Sequence, residues 1–253
     1  LVSKERRDGY IADVADEYER IREEREGRSS GAKLLPYEAA RENAFKTDWH
    51  DYHPDKPKFV GLEMFDNYDL SELPSRIDWT PFFRTWELAG NYPAILDDEV
   101  VGKTARSLFD DAREMLGRII EEKWLRARAV VGFFPANSVG DDVEIYWDEE
   151  RDSVRMKLHF LRQQMEKRTE RANLCLADFV APRDSGTPDY IGAFAVTAGL
   201  GIEEHLARFK AAGDDYNDIL LKALADRLAE ALAERMHERV RKEMWGYSPE
   251  ENF

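Results

Sequence analysis

The sequence predicts an α+β fold: a twisted antiparallel sheet flanked by helices, with a helical N-terminal arm and a long C-terminal helix. Strand patterns are concentrated between residues 129 and 199, while helical patterns precede and follow them. The first strand patterns are separated by short connections, which favours antiparallel pairing because a parallel crossover needs about a dozen residues. We expect residues 1–60 to form a helical and irregular arm of the same domain, and residues 61–253 to form its core.

The arm begins with a charged segment, residues 3–27, that has a narrow apolar stripe. Its apolar residues recur at spacings of three or four: Tyr10, Ile11, Val14, Tyr18 and Ile21. That spacing predicts an exposed amphipathic helix. Pro36 opens a second, shorter helix. Residues 47–60 combine prolines with aromatic residues, so we expect an ordered segment that lies on the rest of the domain.

Two helices are predicted before the strands. IDWTPFF begins the first, with Thr80 as its cap and Pro81 at its first position. Residues 98–124 form the second, which has one apolar face. Five strands are then expected, at residues 129–137, 142–148, 154–160, 174–181 and 189–199.

The chain closes with a helix at about residues 203–212 and a second near 214–245. In the second helix, leucines at positions 220, 224, 228 and 232 mark one face, and alanines on several faces suggest that more than one face is covered. Unbroken, that helix is about 48 Å long at about 1.5 Å per residue.

Composition excludes several classes of function. There are 37 Lys and Arg against 52 Asp and Glu, a net charge of −15, which argues against nucleic acid or an anionic membrane as partner. A single cysteine, Cys175, excludes an internal disulfide framework and suits a reducing cytoplasm. The apolar runs are far shorter than the roughly 20 residues of a membrane span.

Motifs for metal binding or covalent catalysis are weak. His50, Asp51 and His53 lie in a proline-flanked loop, where histidines bonded to backbone or water are favoured over metal ligands. Cys175 has no basic neighbour, so core packing is favoured over nucleophilic catalysis. No glycine pattern matches a phosphate loop or G-x-G-x-x-G. We therefore assign neither catalytic nor metal-binding residues.

Three carboxylates allow two interpretations. Asp226 and Glu230 are four residues apart on a helix face without the leucines, which fits either a solvated face or a pair for a cationic ligand or a protonated imidazole. Asp78 precedes an aromatic run, where it fits either a helix cap or a binding residue.

Long stretches of the chain resemble one family. They are IDWTPFFRTWELAGNYPAIL (77–96), VVGFFPANSVGDDVEIY (130–146), LRQQ (161–164), NLCLADFVAP (173–182), DYIGAFAVTAG (189–199) and the helix of residues 214–247. In this order they resemble the activation domain of cobalamin-dependent methionine synthase, which binds S-adenosyl-L-methionine. The resemblance covers nearly all of the chain from residue 77.

The resemblance implies part of a 5-methyltetrahydrofolate–homocysteine S-methyltransferase. Such enzymes carry the methyl group on cobalamin, which a neighbouring domain binds. When cobalamin oxidises to cob(II)alamin, the activation domain supports its reductive remethylation, with an electron from flavodoxin or a flavoprotein reductase. Zinc, folate and cobalamin sites lie in other domains of such enzymes.

The resemblance also assigns roles to the carboxylates. Asp78 and Glu230 would contact S-adenosylmethionine, and Asp226 would meet the cobalamin-ligating histidine after it leaves the metal. A sulfonium, an ammonium and an imidazole are all groups that a carboxylate attracts. The family's R-P-A-P-G-Y-P segment does not occur among the 253 residues, so we expect the domain to be incomplete at its C-terminus. The alternative hypothesis is a non-catalytic acidic module that docks a flavodoxin-like redox partner.

Overall fold

The helices and strands of the protein are defined by a computed structural model that describes residues 4–25, 33–167 and 171–252. Its helices are Lys4–Arg25 (α1), Tyr37–Glu42 (α2), Trp79–Thr85 (α3), Gly102–Glu121 (α4), Ile202–Ala212 (α5) and Asp215–Arg239 (α6). Its strands are Gly61–Tyr68 (β1), Arg126–Val139 (β2), Asp142–Tyr146 (β3), Val154–His159 (β4) and Asp189–Leu200 (β5). Across these ranges, no helix is long and apolar enough to cross a membrane.

The long strand β2 organises the sheet. Phe133 pairs with Gly61 of β1 and with Gly192 of β5, so these two strands lie on opposite edges of β2. Ala136 pairs with β3 and β5 in the same way, which places β1 and β3 end to end along one edge. β4 pairs with β3, and every pairing between these five strands is antiparallel. The predicted α+β class with an antiparallel sheet is confirmed.

The main core lies between one face of the sheet and the helices. Alternate residues of β2, from Ala127 to Phe133, are buried against α3, α4 and α6. The leucines of α6 predicted to share one face are all buried: Leu220, Leu224, Leu228 and Leu232. Burying a leucine side chain contributes roughly 1.5–3 kcal/mol, so this face of α6 is a large part of what holds the domain together.

The last helix is shorter as an α-helix than predicted. It ends at Arg239, which gives 25 residues and about 37 Å at about 1.5 Å per residue. A π-helical turn, Val240–Met244, follows without a break in the chain direction. α1 spans most of the predicted N-terminal helix, and its residues Tyr10 and Tyr18 are exposed as expected.

The strand predicted at residues 174–181 is wrong. The segment contains a short 3-10 helix, Leu176–Phe179. Its polar groups are satisfied by side chains: Asp178 accepts the Cys175 N–H at 2.9 Å and binds the buried Arg162 guanidinium at 2.6 Å. Cys175 is nevertheless buried, and burial raises the pKa of its thiol, as expected for a packing residue.

Strand β1 was not predicted, because its apolar residues do not mark a buried face. Leu62 and Met64 are 62% and 66% exposed. The residues before β1 lie on the domain, as predicted for 47–60. The Trp245 indole donates to the carbonyl of Asp55 at 2.6 Å, and the Phe59 ring lies 4.9 Å from that of Phe133.

Candidate functional site

Asp78 is the N-terminal cap of α3. Its Oδ1 atom accepts the backbone N–H of Thr80 at 2.9 Å, so the cap is Asp78 and not Thr80 as predicted. Pro81 is consequently the third residue of the helix, not the first. The Thr80 hydroxyl instead accepts the N–H of Tyr92 at 3.2 Å. Asp78 is exposed, so capping leaves its second carboxylate oxygen available.

Asp226 and Glu230 lie one turn apart on α6, and both are exposed. The Asp226 carboxylate pairs with the neighbouring Arg227 at 2.6 Å while remaining 68% exposed. Glu230 forms no ion pair with any described residue. The negative charge of this face is therefore only partly neutralised: Asp226 is paired, and Glu230 is an unpaired carboxylate among the described residues.

The same face of α6 borders the edge strand β5. His237 is two turns beyond Glu230, and its ring lies 6.5 Å from that of Phe194 on β5. Residues 192–195 of β5 are exposed, and no described strand pairs with the second edge of β5. An unpaired strand edge offers backbone N–H and C=O groups to a ligand.

Small residues allow β5 to pack closely against its neighbours. An added Cβ at Gly192 would lie 3.0 Å from the Phe133 ring and 3.2 Å from Trp245, so only glycine fits there without a shift. Further along, a Cβ at Gly199 would be 3.8 Å from that of Ala225. The alanines of α6 are buried or half-buried, which confirms that more than one face of the helix is covered.

The segment from Glu72 to Trp86, which carries Asp78, packs antiparallel to α6. Glu72 binds Arg235 at 3.2 Å, and the Trp86 ring lies 5.1 Å from that of Tyr216, near the other end of α6. Asp78 lies between these two contacts along the segment. Among the described residues, however, no hydrogen bond or ion pair joins Asp78, Asp226 and Glu230 to one another.

The histidines of the arm do not form part of this site. His50 and His53 are on the loop after α2, where the His50 N–H donates to the Asp48 carboxylate at 3.0 Å. In the described ranges, no three His, Cys, Asp or Glu side chains are grouped as metal ligands would be.

Comparison with known families identifies the fold. The profile of the family described as "Vitamin B12 dependent methionine synthase, activation domain" matches residues 69–253. The chain belongs to this family. The matched residues include the three candidate carboxylates, Asp78, Asp226 and Glu230.

A solved activation domain has the same architecture. It is described as "Crystal Structure of the MetH Reactivation Domain bound to AdoHcy" and is 56% identical to this chain, with a TM-score of 0.82. The match covers 87% of this chain and 67% of that chain. In that relative, the activation domain holds S-adenosylhomocysteine.

Two side-chain groups of this activation domain have no signal in the local sequence, an ion cluster and an aromatic stack. Arg162 is 3% exposed in its side chain and binds both Asp141 and Asp178. Trp124 stacks on His205, with ring centroids 4.4 Å apart. Each group combines residues distant in the chain, and no local spacing signals such convergence.

Proposed function

We propose that this chain is the reactivation module of a cobalamin-dependent methionine synthase and that it binds S-adenosylmethionine beside the free edge of β5. The proposal is supported by two exposed carboxylates, Asp226 and Glu230, on the α6 face whose His237 contacts Phe194 of β5, in a chain of the activation-domain family. The two positive groups of the ligand, a sulfonium and an ammonium, fit carboxylates that lack a strong internal partner.

Asp78 and Glu230 are the proposed ligand-binding residues. Capping uses one oxygen of Asp78 and fixes the direction of its carboxylate, because the Thr80 N–H holds that oxygen at 2.9 Å. The second oxygen remains available to an ammonium. Glu230 is supported as the second residue because it is exposed and unpaired on the α6 face that borders β5. Contacts from both carboxylates to the positive groups of the ligand would orient its methyl group.

Asp226 is the proposed acceptor for a histidine of the neighbouring cobalamin domain. Arg227 fixes one of its carboxylate oxygens at 2.6 Å, and a charge-assisted hydrogen bond to an imidazole would use the other. We propose that the cobalamin domain docks on the α6 side of the sheet, where the Phe194 ring of β5 is 38% exposed. Exposed apolar side chains of this kind favour a protein partner.

The wider enzyme completes the chemistry. S-Adenosylmethionine held by Asp78 and Glu230 would supply a methyl group to cobalamin of the neighbouring domain and leave S-adenosylhomocysteine, and flavodoxin or a flavoprotein reductase would supply the electron. We place the zinc and folate sites in other domains, and the enzyme in the cytoplasm. The alternative of an acidic docking module without a ligand is not favoured, because the relative is described as bound to AdoHcy.

Calorimetry of the activation domain with two ligands tests the proposal. S-Adenosylmethionine and S-adenosylhomocysteine share the ammonium, but only the first carries a sulfonium. We expect Asp78→Asn to weaken binding of at least one ligand tenfold or more. The matched control is Asp69→Asn, because Asp69 makes the same contact with the Ser71 N–H, at 2.9 Å, outside the site.

Glu230→Gln separates the roles of the two acids. If Glu230 faces the sulfonium, the variant loses affinity for S-adenosylmethionine and keeps that for S-adenosylhomocysteine. Absence of binding by the unmodified domain, or equal binding by Asp78→Asn and the Asp69→Asn control, would contradict the proposal.

A further inference from the structure

A cavity of about 540 Å³ opens where α4 ends and where β2 and α5 begin. Its floor is Trp124, which is 5% exposed. The His205 ring is stacked on the indole with an angle of 18° between the planes, and the Arg118 guanidinium lies 4.6 Å from the indole centroid. Because these groups cover the indole, a ligand here would be recognised by charge and hydrogen bonds, not by stacking.

Unpaired cations surround this cavity in a chain of net charge −15. Lys123, Arg126 and Arg208 all line it, and none of them forms an ion pair with a described residue. Two acids also line it. Glu122 is already bound by Arg118 and by the Trp124 indole, which leaves Glu204 as one uncompensated negative charge against three positive ones.

His205 provides a buried hydrogen-bond donor in the cavity wall. Its side chain is 9% exposed, and burial, followed by the nearby Arg208, lowers the pKa of the imidazole. Arg208 Nη1 lies 3.5 Å from Nδ1. Because a guanidinium can only donate, this contact is a hydrogen bond only in the neutral tautomer that carries the ring proton on Nε2. That N–H has no acceptor among the described residues.

The first turn of α5 adds backbone donors. Gly201 caps the helix with φ of 95° and no side-chain hydrogen bond, so the first N–H groups of α5 are not occupied by a cap. The positive end of the helix dipole favours an anion at this position.

We propose that this cavity binds the phosphate group of a small molecule. Three cations, an imidazole N–H and free helix N–H groups suit a tetrahedral anion with three acceptor oxygens and a charge of about −1.5 to −2. A carboxylate offers two coplanar oxygens and a single charge, so it would satisfy fewer of these donors. This site is independent of S-adenosylmethionine binding at the edge of β5.

Calorimetry with inorganic phosphate at constant ionic strength tests the proposal. We expect saturable binding to the unmodified chain and at least tenfold weaker binding to the variant Arg126→Gln/Arg208→Gln. Both arginines are exposed, so the fold should persist, which circular dichroism checks. The control Arg20→Gln/Arg22→Gln removes the same charge from α1 and should bind phosphate like the unmodified chain.

A gain-of-function variant and a spectroscopic readout strengthen the test. Glu204→Gln should bind phosphate severalfold more tightly, because it removes the uncompensated acid. The ¹⁵N resonance of His205 Nε2 should shift on titration with phosphate and much less with succinate. No binding by the unmodified chain, equal binding of succinate, or unchanged affinity in the double variant would overturn the proposal.

Discussion

Asp78 accepts the backbone N–H of Thr80 at 2.9 Å with one carboxylate oxygen, and the other oxygen has no donor in the described part of the chain. The same side chain can therefore cap α3 and contact a ligand. The two interpretations that the sequence left open for Asp78 are compatible, because they use different oxygens.

Substitutions at Asp78 separate these two roles. Asparagine also caps helices, so Asp78→Asn should change the free energy of unfolding by only a few tenths of a kcal/mol, whereas Asp78→Ala should cost about 1 kcal/mol. Urea denaturation measures both. We expect ligand affinity to fall in both variants. A stable Asp78→Asn variant with full affinity would mean that the residue acts only as a cap.

Asp226→Asn should alter histidine coordination of cobalamin in the full enzyme. Without the negative charge, the displaced imidazole loses its charge-assisted partner, so the histidine-bound form should gain population. The visible spectrum of cobalamin as a function of temperature measures this balance. Asp218→Asn is the control, because Asp218 is an acid on the same helix that pairs with Lys222. Identical spectra for Asp226→Asn and this control would refute the role.

Gly192→Ala should destabilise the sheet where α6 and its π-helical extension approach β5. The added Cβ would be 3.0 Å from the Phe133 ring, and overpacking of this kind costs about 1–3 kcal/mol. Gly199→Ala is the matched control on the same strand, since its Cβ would meet only ordinary contacts at 3.8 Å. Urea denaturation should separate the two variants. Equal stabilities of the two variants would show that Phe133 and Trp245 can shift to accommodate the added Cβ at little cost.

Acid should weaken the buried ion cluster around Arg162. Burial alone would raise the pKa of Asp141, but hydrogen bonds from Arg162 and Tyr37 outweigh it and hold that pKa below its usual value. A depressed folded-state pKa gives stability that is present above about pH 4 and is lost as pH falls through the folded pKa.

Urea denaturation between pH 6 and pH 3 checks this prediction. The Asp141→Asn variant should be less stable at pH 6 and should lose less stability on acidification than the unmodified chain. Asp97→Asn, which removes a carboxylate that is 87% exposed, should keep the full decline. If the free energy of unfolding of Asp141→Asn falls with pH as steeply as that of the unmodified chain, this ion cluster does not cause the acid sensitivity.

The sequence predicted those parts of the fold whose patterns are local. Strands β2 to β4 have alternating apolar and polar residues or are joined by short turns, and α6 has leucines at helical spacing. The predictions of these elements were therefore correct. β1 was missed because its residues Leu62 and Met64 are exposed, which reverses the usual relation between apolarity and burial. Residues 174–181 were wrongly predicted as a strand because the ion cluster around Arg162, and not strand pairing, provides the hydrogen-bond partners of that segment.

The candidate site was accessible to sequence reasoning only through resemblance. Spacing indicated that Asp226 and Glu230 share a helix face, and the structure confirms that relation. Proximity of Asp78 to α6 depends on the antiparallel course of residues 72–86, which no local pattern reveals. The cavity beside Trp124 was missed for the same reason, since its cations come from separate segments.

The most direct test of ligand binding at β5 is a crystal structure of the activation domain with S-adenosylmethionine. We expect the ligand to lie along residues 192–195 of β5, with its ammonium or sulfonium in contact with the carboxylates of Asp78 and Glu230. A ligand bound elsewhere, with both carboxylates facing only solvent, would contradict it.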